Sequence, residues 1–192
     1  MLVRVMARET ARFNAELLDA VAPAPGENVL EVGFGHGHTL DTAARRAPET
    51  RFAGIDVSAD AYRVAEQQCR APISQGQLEL RIGDSASLPW SDASFDKVFC
   101  AHTIYFWRDP GDDLGEILRV LKPTGELVLG FRERSEEATA AFPAEVYRFY
   151  SASEVLVRLQ SAGFVETKIQ GAASGEDLRL ALARRPANND QR

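Results

Sequence analysis

The stretch from Val29 to Thr39, VLEVGFGHGHT, constrains this chain more than any other. Val29, Leu30 and Val32 run directly into glycines at 33, 35 and 37, and a helical pattern begins at once. A strand that ends in closely spaced glycines and restarts as helix is a ligand loop. The glycines let the backbone turn sharply and leave N–H groups uncovered at a helix start. The rest of the chain must then place further ligand groups at the ends of later strands.

The patterning supplies those strands. Residues from about 8 to 21 carry Phe13, Leu17, Leu18 and Val21 at helical spacing, ended by Pro23, Pro25 and Gly26. After the glycine loop, 37–46 reads as helix and Arg51 to Ile55 as a second strand ending at Asp56. Ser58 caps a helix expected to turn Tyr62, Val64 and Ala65 inward. Leu78, Leu80 and Ile82 alternate as a third strand, stopping at Gly83 and Asp84. Phe95 to Ala101 is a fourth, apolar enough to be covered on both faces. Leu114 to Leu121 is expected to be a helix stopped by Pro123 and the Thr124-Gly125 turn, and Leu127 to Phe131 a fifth strand. Ser151 and Glu154 form a capping box ahead of a helix ended by Gly163, and 164–169 and 178–183 are two more strands. Strands alternating with helices predict a mainly parallel, three-layer α/β sheet.

Composition narrows the partners. A chain of 192 residues with 45% hydrophobic content fits one domain with a sizeable core. The expected domain is 1–184, with 1–25 as an N-terminal helix covering the site and 185–192 as a disordered tail. A net charge of -6 and the lack of a basic run oppose nucleic-acid binding. The early residues mix Arg4, Arg8, Glu9, Arg12 and Glu16 into apolar positions, unlike a signal peptide, and no stretch spans a bilayer, so the expected location is cytoplasmic, without membrane. The partner expected is a small-molecule substrate, and a homodimer is left open. Cys69 and Cys100 lack metal or redox spacing, so no metal is expected and both read as buried thiols.

The loop departs from a dinucleotide site. A GxGxxG fingerprint would place its third glycine at position 38, which is His38; the spacing here is GxGxG. Glu31 lies inside an otherwise apolar strand, where an unpartnered carboxylate is expensive. Its partner should be a cation, either a buried arginine or a ligand carrying an ammonium and a sulfonium; a pyrophosphate would be repelled. Asp56 can accept from two ribose hydroxyls, Asp84 from an adenine amine, and the Ser85 N–H can donate to a ring nitrogen. As the bland alternative, both aspartates are turn-forming residues.

VLEVGFGHG, GIDVS, GDSASLPWSDASFDKVF and ILRVLKPTGELVL together resemble the successive motifs of class I S-adenosylmethionine-dependent methyltransferases, in particular the small-molecule group that includes quinone-biosynthesis enzymes. The resemblance runs from about 26 to 170. It implies a Rossmann-like three-layer sandwich with a mostly parallel seven-stranded sheet whose last strand is antiparallel. It also implies S-adenosyl-L-methionine as cofactor and S-adenosyl-L-homocysteine as product. Glu31 with Gly33, Phe34, Gly35, His36 and Gly37 would hold the methionine part, Asp56 beside Val57 the ribose, and Gly83, Asp84 and Ser85 the adenine.

Methyl transfer is an in-line displacement in which the protein aligns the nucleophile and excludes water. A base is needed only if the acceptor must lose a proton as it attacks. At the fourth strand's end, AHTIYFWRDP offers His102 and Tyr105 as base and orienting group, with a cofactor contact as the other role for His102. His36 and His38 read as cofactor contacts. Tyr105, Phe106 and Trp107 read as an apolar pocket wall. There is no DPPY- or NPPY-type sequence, the family's device for adenine or amide nitrogen, which disfavours those acceptors, and Cys100 does not follow a proline, a departure from the Pro-Cys pattern of cytosine carbon methyltransferases. Arg132 to Tyr150 is the expected substrate-facing segment. The function predicted is methyl transfer to a small molecule. A non-catalytic S-adenosylmethionine-binding subunit and an NAD-dependent dehydrogenase are the alternatives.

Overall fold

Hydrophobic periodicity turns into a sheet covered on both faces. The computed structural model describes residues 2–143 and 146–187. In chain order the elements are α1 (Leu2–Val21), β1 (Asn28–Val32), α2 (His38–Arg46), β2 (Arg51–Asp56), α3 (Ala59–Gln68), α4 (Arg70–Ser74) and β3 (Leu78–Ile82). Then come β4 (Phe95–Ala101), a 3-10 turn at Ile104–Phe106, α5 (Pro110–Val120), β5 (Leu121–Arg132), α6 (Glu136–Ala141), α7 (Ala152–Ser161), β6 (Val165–Ala172) and β7 (Gly175–Arg184).

The seven strands are ordered β3-β2-β1-β4-β5-β7-β6. β1 to β5 pair in parallel, and β7 runs antiparallel to both β5 and β6. This is the mostly parallel sheet with a reversed last strand that the motifs implied. The order turns back between β1 and β4, and it is there that a crevice opens at the carboxyl edge.

Strand alternation sends successive side chains to opposite layers. Leu30, Val32, Val98 and Cys100 face a core completed by Leu114 and Ile117 of α5 and Val155 and Leu159 of α7. Val29 and Phe99 face the other, completed by Phe13 and Leu17 of α1, Leu40 and Ala43 of α2, and Ala65 of α3. Both cysteines are buried free thiols, and burial raises both thiol pKa values, that of Cys69 to about 12. Among the described residues no group of three or more potential metal ligands occurs, and no helix is long and apolar enough to cross a membrane.

Helix starts follow local chemistry. Ser58 Oγ accepts from the Ala61 N–H. Ser151 Oγ accepts from the Glu154 N–H at 3.2 Å, while a Glu154 carboxylate oxygen takes the Ser151 N–H at 2.7 Å. Ser151→Ala, which removes one half of this box, is expected to lower stability by about 1 kcal/mol. In thermal denaturation that is a midpoint about 2–4 °C lower.

Four expectations need revision. Val64 is 47% exposed while Ala65 is buried, because the face of α3 that meets α2 passes through Ala65 and Cys69. The helix placed at Leu114–Leu121 begins earlier, at Pro110, since the Asp109 carboxylate caps it through the Gly111 N–H. The expected Thr124-Gly125 turn is an irregularity inside a longer β5, with Thr124 at φ 63. Arg185, assigned to the tail, is docked: its side chain donates to the carbonyls of Leu118, Arg119 and Leu121 at the end of α5. The rest of that expected tail, 188–192, lies outside the described residues, as do 144–145 of the expected substrate-facing segment.

Candidate active site

The carboxyl ends of β1, β2, β3 and β4 surround a cavity of about 710 Å³, large enough for a nucleoside-sized ligand. Its lining includes Gly33, Gly35, Asp56, Val57, Gly83, Asp84, Ser85 and His102 among the residues singled out in the sequence. Parallel pairing of β1 with β2 and β4 brings them together, since each strand ends at the same edge.

The glycine loop works differently from the sequence expectation. The N–H groups of Gly33, Gly35 and Gly37 are all engaged, by the Ile55 carbonyl, an Asp56 carboxylate oxygen and the Phe34 carbonyl. The glycines therefore supply shape rather than donors. Gly33 has φ +78, and a Cβ there would lie 2.1 Å from Thr103 Cγ2. Gly37 has φ +80, and a Cβ there would meet Ala65 and Cys69 Sγ at 2.9 Å, so it permits close packing of the loop on α3.

Several loop residues do not reach the cavity. The Phe34 ring is buried with Leu40 of α2, and Gly54 of β2 leaves the room it needs. Gly37 is buried at the start of α2, and His36 and His38 are exposed. None of these four residues lines the space, because a loop with positive φ at alternate residues turns the intervening side chains of Phe34, His36 and His38 away.

Asp56 is a clamp as well as a rim residue. One carboxylate oxygen accepts from the Gly35 N–H at 2.8 Å and the other from the Ser58 N–H at 2.9 Å. Each oxygen keeps a lone pair for a further donor. Asp84 similarly accepts from the Ala86 N–H, while the Ser85 N–H has no protein partner among the described residues. Val57 is 76% exposed beside them and offers an apolar face.

Glu31 is 2% exposed, and its Oε2 is buried without a hydrogen-bond partner. Among the described residues no arginine pairs with it. Burial pushes its carboxyl well above the usual carboxylate range, and the charge of Asp56 adds to the effect. An orphaned acid behind the glycine loop fits a cationic ligand group arriving from the cavity. With the carboxyl pKa raised in the folded state, its contribution to stability is full below the ordinary carboxylate range and is lost as pH rises toward the raised value. Glu31→Gln is therefore expected to flatten the fall in stability of the free protein between acid and neutral pH. At neutral pH the gain should be about 1–3 kcal/mol, read from urea unfolding at several pH values.

The sequence reading missed part of the lining. Thr103, Arg108, Asp109, Asp112 and Asp113 also line the cavity. Asp113 is 2% exposed and accepts a short hydrogen bond from Ser85 Oγ; burial raises its carboxyl to about 6. The signal was the Asp109-Pro110 pair, a helix cap that aims the first turn of α5 at the cavity.

At the β4 end, His102 and Tyr105 are adjacent, with His102 Nδ1 3.2 Å from the Tyr105 hydroxyl. That hydroxyl also accepts a short hydrogen bond from the Arg132 N–H. Tyr105 itself is 4% exposed and belongs to the core, so only Phe106 and Trp107 of the expected aromatic wall face the cavity. Burial, reinforced by the Arg132 charge, holds the His102 pKa down at about 4.

The strand order, the reversed β7 and a carboxylate-rimmed cavity beyond β1 and β4 define the Rossmann-like methyltransferase class. Residues 30–129 match the family described as Methyltransferase domain. The chain belongs to that family, the class I S-adenosylmethionine-dependent methyltransferases. It is 26% identical over 184 residues to the uncharacterized methyltransferase YdaC of Bacillus subtilis, covering 95% of this chain and 97% of that one. It is 36% identical over 138 residues to a demethylmenaquinone methyltransferase of Deinococcus radiodurans, covering 71% of this chain and 54% of the relative. The chain spans about half the length of several curated relatives that it matches. Among solved structures, the [4+2]-cyclase SpnF superposes with a TM-score of 0.81 at 21% identity, covering 92% of this chain and 82% of that one, a likeness of fold alone.

Proposed function

We propose that this chain transfers a methyl group from S-adenosylmethionine to a small-molecule acceptor, releasing S-adenosylhomocysteine. The observation that carries the reading is Glu31: a buried, unpartnered carboxylate behind a glycine loop, calling for a cation. Bound there, S-adenosylmethionine supplies an activated methyl carbon. On this reading Glu31 faces the methionine ammonium, Gly33 and Gly35 give the cofactor room, and Asp56 takes the ribose hydroxyls. Val57 covers one side of the adenine, while Asp84 and the Ser85 N–H, above Gly83, meet its edge. His102, Phe106 and Trp107 bound the acceptor.

Support for a small acceptor comes from the partly enclosed cavity walled by Phe106 and Trp107, and from the net charge of -6, which disfavours nucleic acid. Two relatives are named an O-methyltransferase and a demethylmenaquinone methyltransferase, which suggests hydroxylated aromatic compounds and quinols as the first acceptors to try. The cytoplasm is the compartment proposed, residues 1–184 are proposed to act as one unit with α1 over the site, and the first 25 residues to help cover it.

Calorimetry with S-adenosylmethionine, S-adenosylhomocysteine and NAD tests the cofactor. Binding of the first two without the third is expected; tight NAD binding alone would sink the reading. A panel of phenols, quinols and amines assayed for S-adenosylhomocysteine release tests the transfer, and silence across a broad panel despite cofactor binding would favour a non-catalytic subunit.

A further inference from the structure

The Tyr105 hydroxyl has two polar neighbours, the Arg132 N–H, from which it accepts, and His102 Nδ1 at 3.2 Å. A phenol has one proton to give. The Arg132 amide nitrogen cannot take it, and among the described residues the hydroxyl has no other acceptor than His102 Nδ1. A satisfied buried hydroxyl must therefore donate to Nδ1. A neutral imidazole that accepts at Nδ1 carries its own proton on Nε2. That nitrogen has no partner among the described residues and is accessible, and His102 lines the cavity, from which we infer that Nε2–H opens into it.

The ring is held in place. His102 adopts φ 58, its N–H donates to the Gly130 carbonyl at 2.8 Å, and its ring packs on Phe13 with centroids 4.9 Å apart. A strained backbone kept by surrounding contacts points to a positioned group.

We propose that His102 serves the acceptor as a fixed hydrogen-bond donor through Nε2–H, and that the acceptor presents an already anionic oxygen there, a phenolate or enolate. The acceptor assignment rests on the transferase reading above; the tautomer does not. The cavity's carboxylates, Asp56, Asp84, Asp109, Asp112 and Asp113, come from the β2 and β3 ends and α5. The segment from Ala101 to Arg108 brings no carboxylate to the cavity and one guanidinium, so its charge suits an anion. In the transfer, an electron pair of the oxyanion, or of the carbon conjugated to it, forms the bond to the methyl carbon as the carbon–sulfur bond breaks and its pair stays on sulfur. No proton moves in that step, so no base is required.

Nitrogen-15 NMR of the full chain, with His102 identified by signal loss in His102→Gln, reads the tautomer. A neutral ring protonated on Nε2 at pH 7, shifting to a mixture in Tyr105→Phe, is expected. An Nδ1–H ring or an imidazolium at pH 7 overturns the proposal. Titration of the S-adenosylhomocysteine complex with 4-nitrophenol, above and below the pH at which that phenol ionises, tests the acceptor class. The phenolate should bind more tightly than the phenol. His102→Ala should lose about ten- to a hundredfold of the phenolate affinity, the worth of a hydrogen bond to a charged group. His102→Gln, whose amide can donate, should recover most of it. Equal binding of phenol and phenolate, no phenolate binding, or no recovery in His102→Gln overturns the proposal. Failure of S-adenosylhomocysteine to bind would instead remove the transferase reading and leave the tautomer result standing.

Discussion

Gly33→Ala is expected to lower stability by about 2–5 kcal/mol and to empty the site of its function together with its fold. Two costs add. The residue sits at φ +78, a left-handed conformation that costs a non-glycine roughly 1–2 kcal/mol. The new Cβ would also fall 2.1 Å from Thr103 Cγ2, so β1 and the β4 end must part, an overpacking cost of about 1–3 kcal/mol. Urea unfolding measures the sum, and a second substitution separates the parts. Thr103→Ser deletes the offending methyl, so the double variant should recover the overpacking share and keep the backbone share. A Gly33→Ala protein as stable as the wild type would show that the loop is not held against Thr103 in solution.

Asp56→Ala is expected to weaken S-adenosylmethionine binding by about five- to a hundred-and-fiftyfold, corresponding to roughly 1–3 kcal/mol. The carboxylate would be lost from two tasks at once. It holds the Gly35 and Ser58 N–H groups at 2.8 and 2.9 Å, fixing the glycine loop to the start of α3. Its remaining lone pairs are the proposed ribose acceptors. Asp56→Asn is the informative companion, since one amide oxygen can still serve one of the two backbone donors. It should retain more stability than alanine but little more affinity. Calorimetry and thermal denaturation on the same samples resolve the two effects, and unchanged affinity in Asp56→Ala would remove the ribose assignment.

The sheet was legible from the chain because its signals are local. β1, β2 and β4 are short apolar runs that stop at Gly33, Asp56 and His102, and Ser58 and Ser151 declare the starts of α3 and α7. The start of α5 was not read, since the apolar stripe begins at Leu114 and the polar first turn, Asp112 and Asp113, resembles solvated surface. Only the approach of α5 to the β3 end turns that surface into cavity wall. The roles within the glycine loop were not legible either. Sequence spacing cannot tell which N–H groups are engaged by neighbouring strands, and all three at Gly33, Gly35 and Gly37 are.

The sequence by itself determined the alternation of strands and helices, the glycine loop and the acids that follow it, because periodicity and strand-end chemistry act over a few residues. It also placed a carboxylate at Glu31 that had to find a cation. The tertiary structure alone decided that none of the described residues supplies one, that Phe34 and Gly37 serve packing, and that Tyr105 lies behind His102 rather than in the cavity. These are matters of which atoms meet across β1, β2, β4 and β5, and such meetings depend on register and layer, which no stretch of chain carries within itself.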